Sequence, residues 1–302
     1  MADAAAREEA IMTGRRHRLR FRGATPCRPE WSLAAPLGLV YIVFFLAPLL
    51  LLLWISFHDD NELTRPGFGN WIKFWSDPFY VGVVLKTLKL GVLTVLAATV
   101  LSYPIALLYY EAGARIRKIV LFLVILPLLL SVVIRTFAWI AILSREGVAN
   151  AVLQGLGLTS GPISLLQTEF GLILSLMQIE MPLMLLPLIA VMQRIDPRMV
   201  EASRALGASR WRTTFQVLIP LSLPGWIAGA TLVFASSTTA FISQSVIGGG
   251  RLVYLPSVIY QQSMVIYNWP FAAVASIMLL VSVLGGVFLI AAIGRWISRE
   301  AA

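Results

Sequence analysis

Long apolar stretches separated by short polar or basic connections run along most of the chain. Six of them are each long enough to cross a hydrocarbon core of about 30 Å as an α-helix. Backbone amides in lipid need partners within the chain, and these runs lack the alternation of barrel strands, so each is predicted to be helical. The predicted spans are Ser32–Phe57, Val83–Tyr110, Ile119–Leu143, Phe170–Met192, Leu221–Ile247 and Phe271–Ile293. The predicted fold class is therefore an all-α integral membrane protein with six transmembrane helices.

The composition supports this interpretation. Hydrophobic residues make up 58% of the chain and charged residues only 13%, and the mean hydropathy is +0.82. A water-soluble protein of this composition would expose large contiguous apolar patches. The net charge of +9 does not indicate a nucleic-acid-binding protein, because the basic residues flank the apolar stretches.

The positions of the basic residues predict the orientation of the chain. Most of the 24 Lys and Arg residues lie before the first span, in the second-to-third and fourth-to-fifth connections, and after the sixth span. With six spans these segments share one side, which the positive-inside rule makes cytoplasmic. We therefore divide the chain into a basic cytoplasmic N-terminal segment (residues 1–31), a transmembrane domain (residues 32–296) and a cytoplasmic tail (residues 297–302), with both termini in the cytoplasm.

Residues for metal or nucleotide chemistry are scarce. Cys27 is the only cysteine, and the two histidines, His17 and His58, are far apart, so a disulfide or a His/Cys metal site is not expected. A phosphate-binding Walker A loop needs Gly-Lys followed by Ser or Thr. None of the four lysines follows glycine. The chain is therefore predicted to bind no cofactor or metal and to be no ATPase.

The fourth-to-fifth connection carries the most informative local pattern. Asp196 and Pro197 are typical of a helix start, Gly207 permits a left-handed helix stop, and Ser209 can cap a second helix. The spacing predicts a helix–turn–helix over residues 196–215. One helical face is apolar and contains Met199, Ala202, Ala205 and Leu206. By physics alone, this face could equally dock on a partner protein or lie on lipid headgroups.

A family resemblance distinguishes these two alternatives. The segment resembles the signature loop of ABC importer permeases, which reads Glu-Ala-Ala, three residues, Gly, nine residues, then Ile-x-Leu-Pro. The matching positions are Glu201, Ala202, Ser203, Gly207 and Pro220, while Val217 and Ile219 stand where Ile and Leu are usual. The resemblance implies a type I ABC importer permease fold in the bacterial inner membrane. It also implies that this loop is a coupling helix, whose residues Glu201, Ala202, Ser203, Gly207 and Ala208 contact a separate cytoplasmic ATPase.

Four further motifs resemble the spermidine/putrescine permease group, and its first permease component in particular. They are Asp77-Pro78-Phe79-Tyr80, Arg135-Thr136-Phe137-Ala138-Trp139, Gly248-Gly249-Gly250-Arg251 and Asn268-Trp269-Pro270-Phe271-Ala272-Ala273. This likeness implies import of a polyamine or a related cationic compound. The implied partners are two ATPase subunits that bind ATP and Mg²⁺, a second permease forming a heterodimer, and a periplasmic solute-binding protein.

Glu180 is the one carboxylate well inside a predicted span, two residues before Pro182. An acid in the membrane is costly and marks a candidate functional position. A substrate path would combine its charge with cation–π contacts, and its candidate residues are Glu180, Trp139, Phe137 and Phe241. Alternatively, Glu180 pairs with a neighbouring helix or stays protonated. For Arg135 we expect a structural role, either reaching headgroups or pairing with an acid such as Glu146 or Glu169.

Two other classes of protein remain alternatives at this point. An ion-coupled secondary transporter would need several membrane acids or a symmetric pair of broken helices, and a single Glu supports it weakly. A membrane transferase would need a carboxylate pair or metal cluster, for which only the acidic loop His58–Glu62 is available. A solvated loop explains that cluster better.

Overall fold

The computed structural model describes residue 36 and residues 38–300 of the chain. The predicted N-terminal segment 1–31, with Cys27 and His17, lies outside the described residues. The chain divides into two units with a boundary after Leu51. The first unit is helical from Gly38 to its end at Leu51 and contains one π-helical turn, Ile42–Leu46; the helix, α1, ends at Ser56.

The second unit is also helical, and the described residues contain no strand apart from one isolated bridge, between His58 and Pro66. Its helices follow the chain in this order: α2 Gly69–Ser76, α3 Pro78–Glu111, α4 Ala114–Leu128, α5 Val132–Leu143, α6 Val148–Gly155, α7 Glu169–Met192, α8 Pro197–Ala205, α9 Arg210–Thr239, α10 Phe241–Gly248, α11 Leu255–Tyr260 and α12 Trp269–Glu300. Helix α9 includes a π-helical turn at Thr214–Leu218, and another such turn, Gln261–Val265, follows α11.

Among the described residues, five helices are long and apolar enough to cross a membrane: α1, α3, α7, α9 and α12. A sixth crossing is possible where Ala114–Leu128 is followed by Val132–Gly155, but the two parts are bent by 98°. The all-α membrane fold is thus confirmed. The third span predicted over Ile119–Leu143 is divided by this bend into α4 and α5.

Local chemistry explains this bend. Pro127 lacks a backbone N–H and weakens the last turn of α4, which ends at Leu128. Ser131 then adopts an extended conformation, and its hydroxyl accepts a hydrogen bond from Val133 N at 3.3 Å, which caps α5. A hydropathy window averages over this break because the flanking residues are equally apolar.

The fifth predicted span also ends earlier than expected. Helix α9 stops at Thr239 instead of Ile247, because Ala240 has a non-helical backbone conformation. The side chain of Gln244 donates to Ser237 O at 2.9 Å and to Thr238 O at 3.2 Å. A buried amide thus takes the place of the backbone donors that a continuing helix would supply.

Helix α7 packs closely against α3 and α9 in the core of the second unit. Val95, Ala98, Met184, Ala230 and Phe234 form a buried cluster there. The contact between α7 and α9 depends on glycines in α9: a Cβ added at Gly229 would lie 2.8 Å from Met184 O, and one at Gly225 would lie 2.8 Å from Pro187 O. Small residues let membrane helices approach this closely.

The two basic connections that the sequence predicts on one side of the membrane lie together at one end of α3. There Glu111 contacts Arg210 in the fourth-to-fifth connection, and Arg117 in the second-to-third connection donates to Tyr109 O at 3.1 Å. Near the other end of α3, Lys89 forms an ion pair with Glu169 at 2.8 Å. The structure therefore gathers the two basic connections as expected.

The close contact between α7 and α9 gives a first testable prediction. Gly229→Ala adds a methyl group against backbone atoms of α7, so we expect a loss of about 1–3 kcal/mol of stability. The same change at Gly285 meets no atom within 4 Å and is expected to be neutral or stabilising. Thermal unfolding in detergent micelles measures both. Equal unfolding temperatures for the two variants would contradict this account of the packing.

Candidate functional site

The predicted helix–turn–helix is present, and its two helices meet at a glycine turn that we call the elbow (Asp196–Thr213). Asp196 caps α8 by accepting from Arg198 N at 2.9 Å. Gly207 has a φ of +85°, in the left-handed region that favours glycine. Ser209 then accepts from Arg212 N at 3.3 Å at the start of α9. Each capping role inferred from the sequence is confirmed.

Within the part of the chain that the structure describes, no contact buries the apolar face of the elbow. Leu206 is 89% exposed, and Met199 and Ala202 are exposed as well. The opposite face anchors α8, because Val200 is only 6% exposed and belongs to a buried cluster with Tyr109, Leu188 and Leu218. The elbow therefore has one face that holds it in place and a second apolar face left open for a partner.

A charged cluster lies beside the elbow. The Glu111 carboxylate, at the end of α3, is 3.6 Å from the Arg204 guanidinium and contacts that of Arg210. Between the two elbow helices, the Ser203 and Thr213 hydroxyls are 3.2 Å apart. A cavity of about 770 Å³ opens between this cluster and the end of α7, and Gln193, Glu201 and Ala208 are among its lining residues.

Within the membrane part, the polar contacts gather on the turn of α7 that precedes Pro182. Arg135 Nη1 donates to Ile179 O at 3.0 Å. Trp139 Nε1 donates to Gln178 Oε1, also at 3.0 Å. Pro182 lacks the N–H that would bond Gln178 O, so donors from α5 add polar contacts on the turn where the helix loses a hydrogen bond.

Glu180 lies on this same turn and is only 6% exposed. The Ser236 hydroxyl on α9 and the positive charge of Arg135 both act on its carboxyl group. The pairing of Arg135 with Glu169 suggested by the sequence is wrong, because Glu169 is bound by Lys89. The structure thus brings together Glu180, Arg135 and Trp139.

The other two path candidates lie elsewhere. Phe137 is 58% exposed and, two residues from Trp139, faces the opposite side of α5. Phe241 packs against Tyr260, with ring centroids 4.9 Å apart. Sequence reasoning grouped these aromatics by proximity to predicted spans, but the helix periodicity and the break at Ala240 separate them.

The carboxylates of Asp59 and Asp60, in the acidic loop after α1, accept hydrogen bonds from nearby residues. Asp59 accepts from Gly69 N at 2.8 Å. Asp60 accepts from the Thr64 side chain and from Arg65 N, and these bonds lower the pKa of Asp60. In the described part of the chain, no group of three or more His, Cys, Asp or Glu residues could hold a metal ion. The loop is therefore a structured turn.

Sequence reasoning missed Glu111 beside the elbow, Gln178 and Ser236 near Glu180, and Gln244 at the end of α9. Glu111 carried a usable signal, because it is an acid at the end of a span, directly before a basic connection. The others are polar residues inside predicted spans, and the groups that Gln178 and Ser236 interact with lie on other helices.

Comparison with known proteins places these features in one family. The sequence profile of the binding-protein-dependent transport system inner membrane component family matches residues 98–299. The spermidine/putrescine transport system permease protein PotB of Haemophilus influenzae is 32% identical over 239 residues, which cover 78% of this chain and 84% of the relative. PotB of Escherichia coli is 33% identical over 242 residues, covering 79% and 88%.

A solved structure agrees in fold. The bacterial ABC transporter involved in the import of the acidic polysaccharide alginate has a chain that superposes with a TM-score of 0.71. The alignment covers 88% of this chain and 94% of the other, at 20% identity. At that identity the match concerns the fold alone.

The buried charges at α7 generate a second prediction. Glu180→Gln keeps the shape of the side chain but removes the carboxylate on which the positive charge of Arg135 acts, so we expect a loss of about 1–3 kcal/mol of stability. The double variant Glu180→Gln/Arg135→Gln should recover most of it. Glu169→Gln, at an exposed ion pair, should cost less than about 1 kcal/mol.

Thermal unfolding of the purified chain in detergent compares these variants. If Glu180→Gln is as stable as the unaltered chain, the carboxyl group is not balancing Arg135, and this interpretation of the pair is wrong.

Proposed function

The chain belongs to the binding-protein-dependent transport system inner membrane component family, and from this membership we propose that its elbow docks on a separate ATPase subunit. The protein is the multi-pass, inner-membrane permease subunit of an ABC importer. One observation carries the docking proposal: the apolar face at Leu206 is exposed beside the glycine turn, while α8 is anchored through the buried Val200.

The composition of the elbow suits a protein groove. Small residues at Ala202, Ser203 and Ala208 allow close approach of a partner surface, and Leu206 supplies an apolar anchor of the kind that dominates interface energies. Glu201 adds a carboxylate for a charge-assisted hydrogen bond at the rim. A lipid-bound helix would gain little from this particular combination of small residues and a left-handed turn.

The proposed cycle follows from this contact. Two ATPase subunits bind ATP and Mg²⁺ and close, and their movement displaces the elbow and turns the path from inward- to outward-facing. The permease chain itself binds no nucleotide or metal. The elbow and both termini lie on the cytoplasmic side, in agreement with the excess of Lys and Arg there.

We further propose that the solute is a polyamine or a related cationic compound. The two PotB relatives support this, and the buried Glu180 with the nearby Trp139 supplies groups that attract an ammonium ion. A periplasmic binding protein delivers the solute to the outer face. A second, different permease encloses the path, which brings the exposed Phe137 and the half-buried Phe241 within reach of it.

Docking is tested by changing only the open face of the elbow. Leu206→Asp should release the ATPase subunit from the purified transporter and reduce uptake at least tenfold, because a charge replaces an interface anchor worth about 2 kcal/mol or more. Leu158→Asp, at a leucine that is also exposed but remote from the elbow, is the matched control and should retain the ATPase. Copurification and uptake measure both effects.

An ATPase that remains bound to the Leu206→Asp variant, with normal uptake, would contradict the docking proposal. A variant that fails to reach the membrane is recognised by fluorescence of a fused reporter and is replaced by Glu201→Arg, which changes the rim of the same face.

The substrate proposal needs a separate experiment. Cells that express the complete transporter should take up radiolabelled spermidine or putrescine in a saturable manner, and the Leu206→Asp variant should lower that uptake to background. Absence of polyamine uptake by a transporter that still holds its ATPase would point to another small solute. Such a result would leave the docking proposal intact.

A further inference from the structure

The last turn of α3 is tied to three neighbouring segments at once. Arg117 donates to Tyr109 O at 3.1 Å and to Tyr110 O at 2.8 Å, and so satisfies carbonyl groups that a helix C-terminus leaves unpaired. The Tyr109 hydroxyl accepts from Gln193 Nε2, just after α7, at 2.6 Å. Glu111 makes the third set of contacts, with the elbow.

Glu111 holds both sides of the glycine turn. Arg204 lies before Gly207 on α8, and its guanidinium is 3.6 Å from Glu111 Oε1. Arg210 lies after the turn, and its Nε donates to Oε1 at 3.2 Å while its Nη2 contacts Oε2. This two-pronged geometry fixes direction as well as distance. One carboxylate on α3 therefore connects to both helices of the elbow.

The ion pairs of Glu111 contribute little to the stability of the fold, and their effect is to link the elbow to α3. The Glu111 side chain is 27% exposed, and both arginines are at least half exposed. Exposed ion pairs stabilise a fold very little. The apolar contact of Val200 with the cluster around Tyr109 already holds α8 in place. What the ion pairs add is a directional link between the turn and α3.

Helix α3 is well placed to receive a movement. It runs for 34 residues from Pro78 to Glu111. It packs in the core against α7 and α9, through Val95 and Ala98 at the cluster that contains Met184 and Phe234. A displacement at its last turn is therefore passed to the helix that carries Glu180.

We propose that Glu111 is a positioning residue for transport, which transmits the displacement of the elbow to α3. The proposal rests on the proposed function, since it requires an ATPase that moves the elbow. It differs from docking, because Glu111 acts inside the permease and its loss should leave the ATPase bound.

The test uses the complete transporter reconstituted in proteoliposomes with its binding protein and ATPase subunits. Glu111→Gln removes the charge at nearly constant size. We expect unchanged ATPase content and continued ATP hydrolysis, with solute uptake per ATP hydrolysed reduced about fivefold. The matched control is Glu62→Gln, at an exposed acid on the first-to-second loop, which should keep the original ratio.

A covalent crosslink between α3 and the elbow tests the proposal most decisively. In a Cys27→Ser background, the pair Glu111→Cys/Arg210→Cys is joined by a short, reducible thiol-reactive crosslinker. Uptake per ATP should be low before crosslinking, recover after it, and fall again on reduction. A role limited to stability would change the yield or unfolding temperature without this reversible change in the ratio.

Two results would overturn the proposal: an unchanged ratio in Glu111→Gln, or loss of the ATPase from that variant, which would make Glu111 a docking residue. Failure of the proposed function looks different, because the unaltered transporter itself would then hold no ATPase.

Discussion

Backbone hydrogen bonding in a hydrocarbon solvent is the constraint on which the rest of this structure depends. At three places where a span ends or contains a proline, a side chain adds a hydrogen bond to the backbone. Ser131 caps α5 after the bend, Gln244 donates to the carbonyls at the end of α9, and Arg135 donates to Ile179 O beside Pro182. These hydrogen bonds are made by Ser131 at the start of α5, Arg135 on α5 and Gln244 on α10, so polar groups enter the membrane at helix ends and beside a proline.

The same constraint explains why the charged side chains of Arg135 and Glu180 lie near each other. A guanidinium inside a membrane protein is costly; Ile179 O accepts from Nη1 of Arg135, and the charge of Arg135 acts on the Glu180 carboxyl group. The elbow differs, because its apolar side chain at Leu206 is exposed instead of buried. The glycine turn and the buried Val200 keep Leu206 in this exposed position. Glu111 connects this exposed part to the long helix α3.

Much of this arrangement could be predicted from the sequence, and the exceptions have physical reasons. Asp196, Gly207 and Ser209 start or end helices through contacts with residues only a few positions away, so these caps could be predicted from the sequence. The bend before Ser131 and the early end of α9 were not, because hydropathy averages over short breaks in apolar runs. Glu111 and Gln178 were missed because their partners, on α8, α9 and α5, are set by packing between helices. Phe137 and Trp139 are neighbours in sequence but occupy opposite faces of α5.

The central claim is that the open face of the elbow contacts an ATP-hydrolysing partner. The most direct measurement places a photocrosslinking amino acid at Ala202 of the full-length protein and irradiates native membranes. The account predicts a covalent adduct with the ATPase subunit, identified by mass spectrometry, and a weaker adduct when Leu206 is also changed to Asp. Labelling of lipid alone, with no protein adduct, would contradict it.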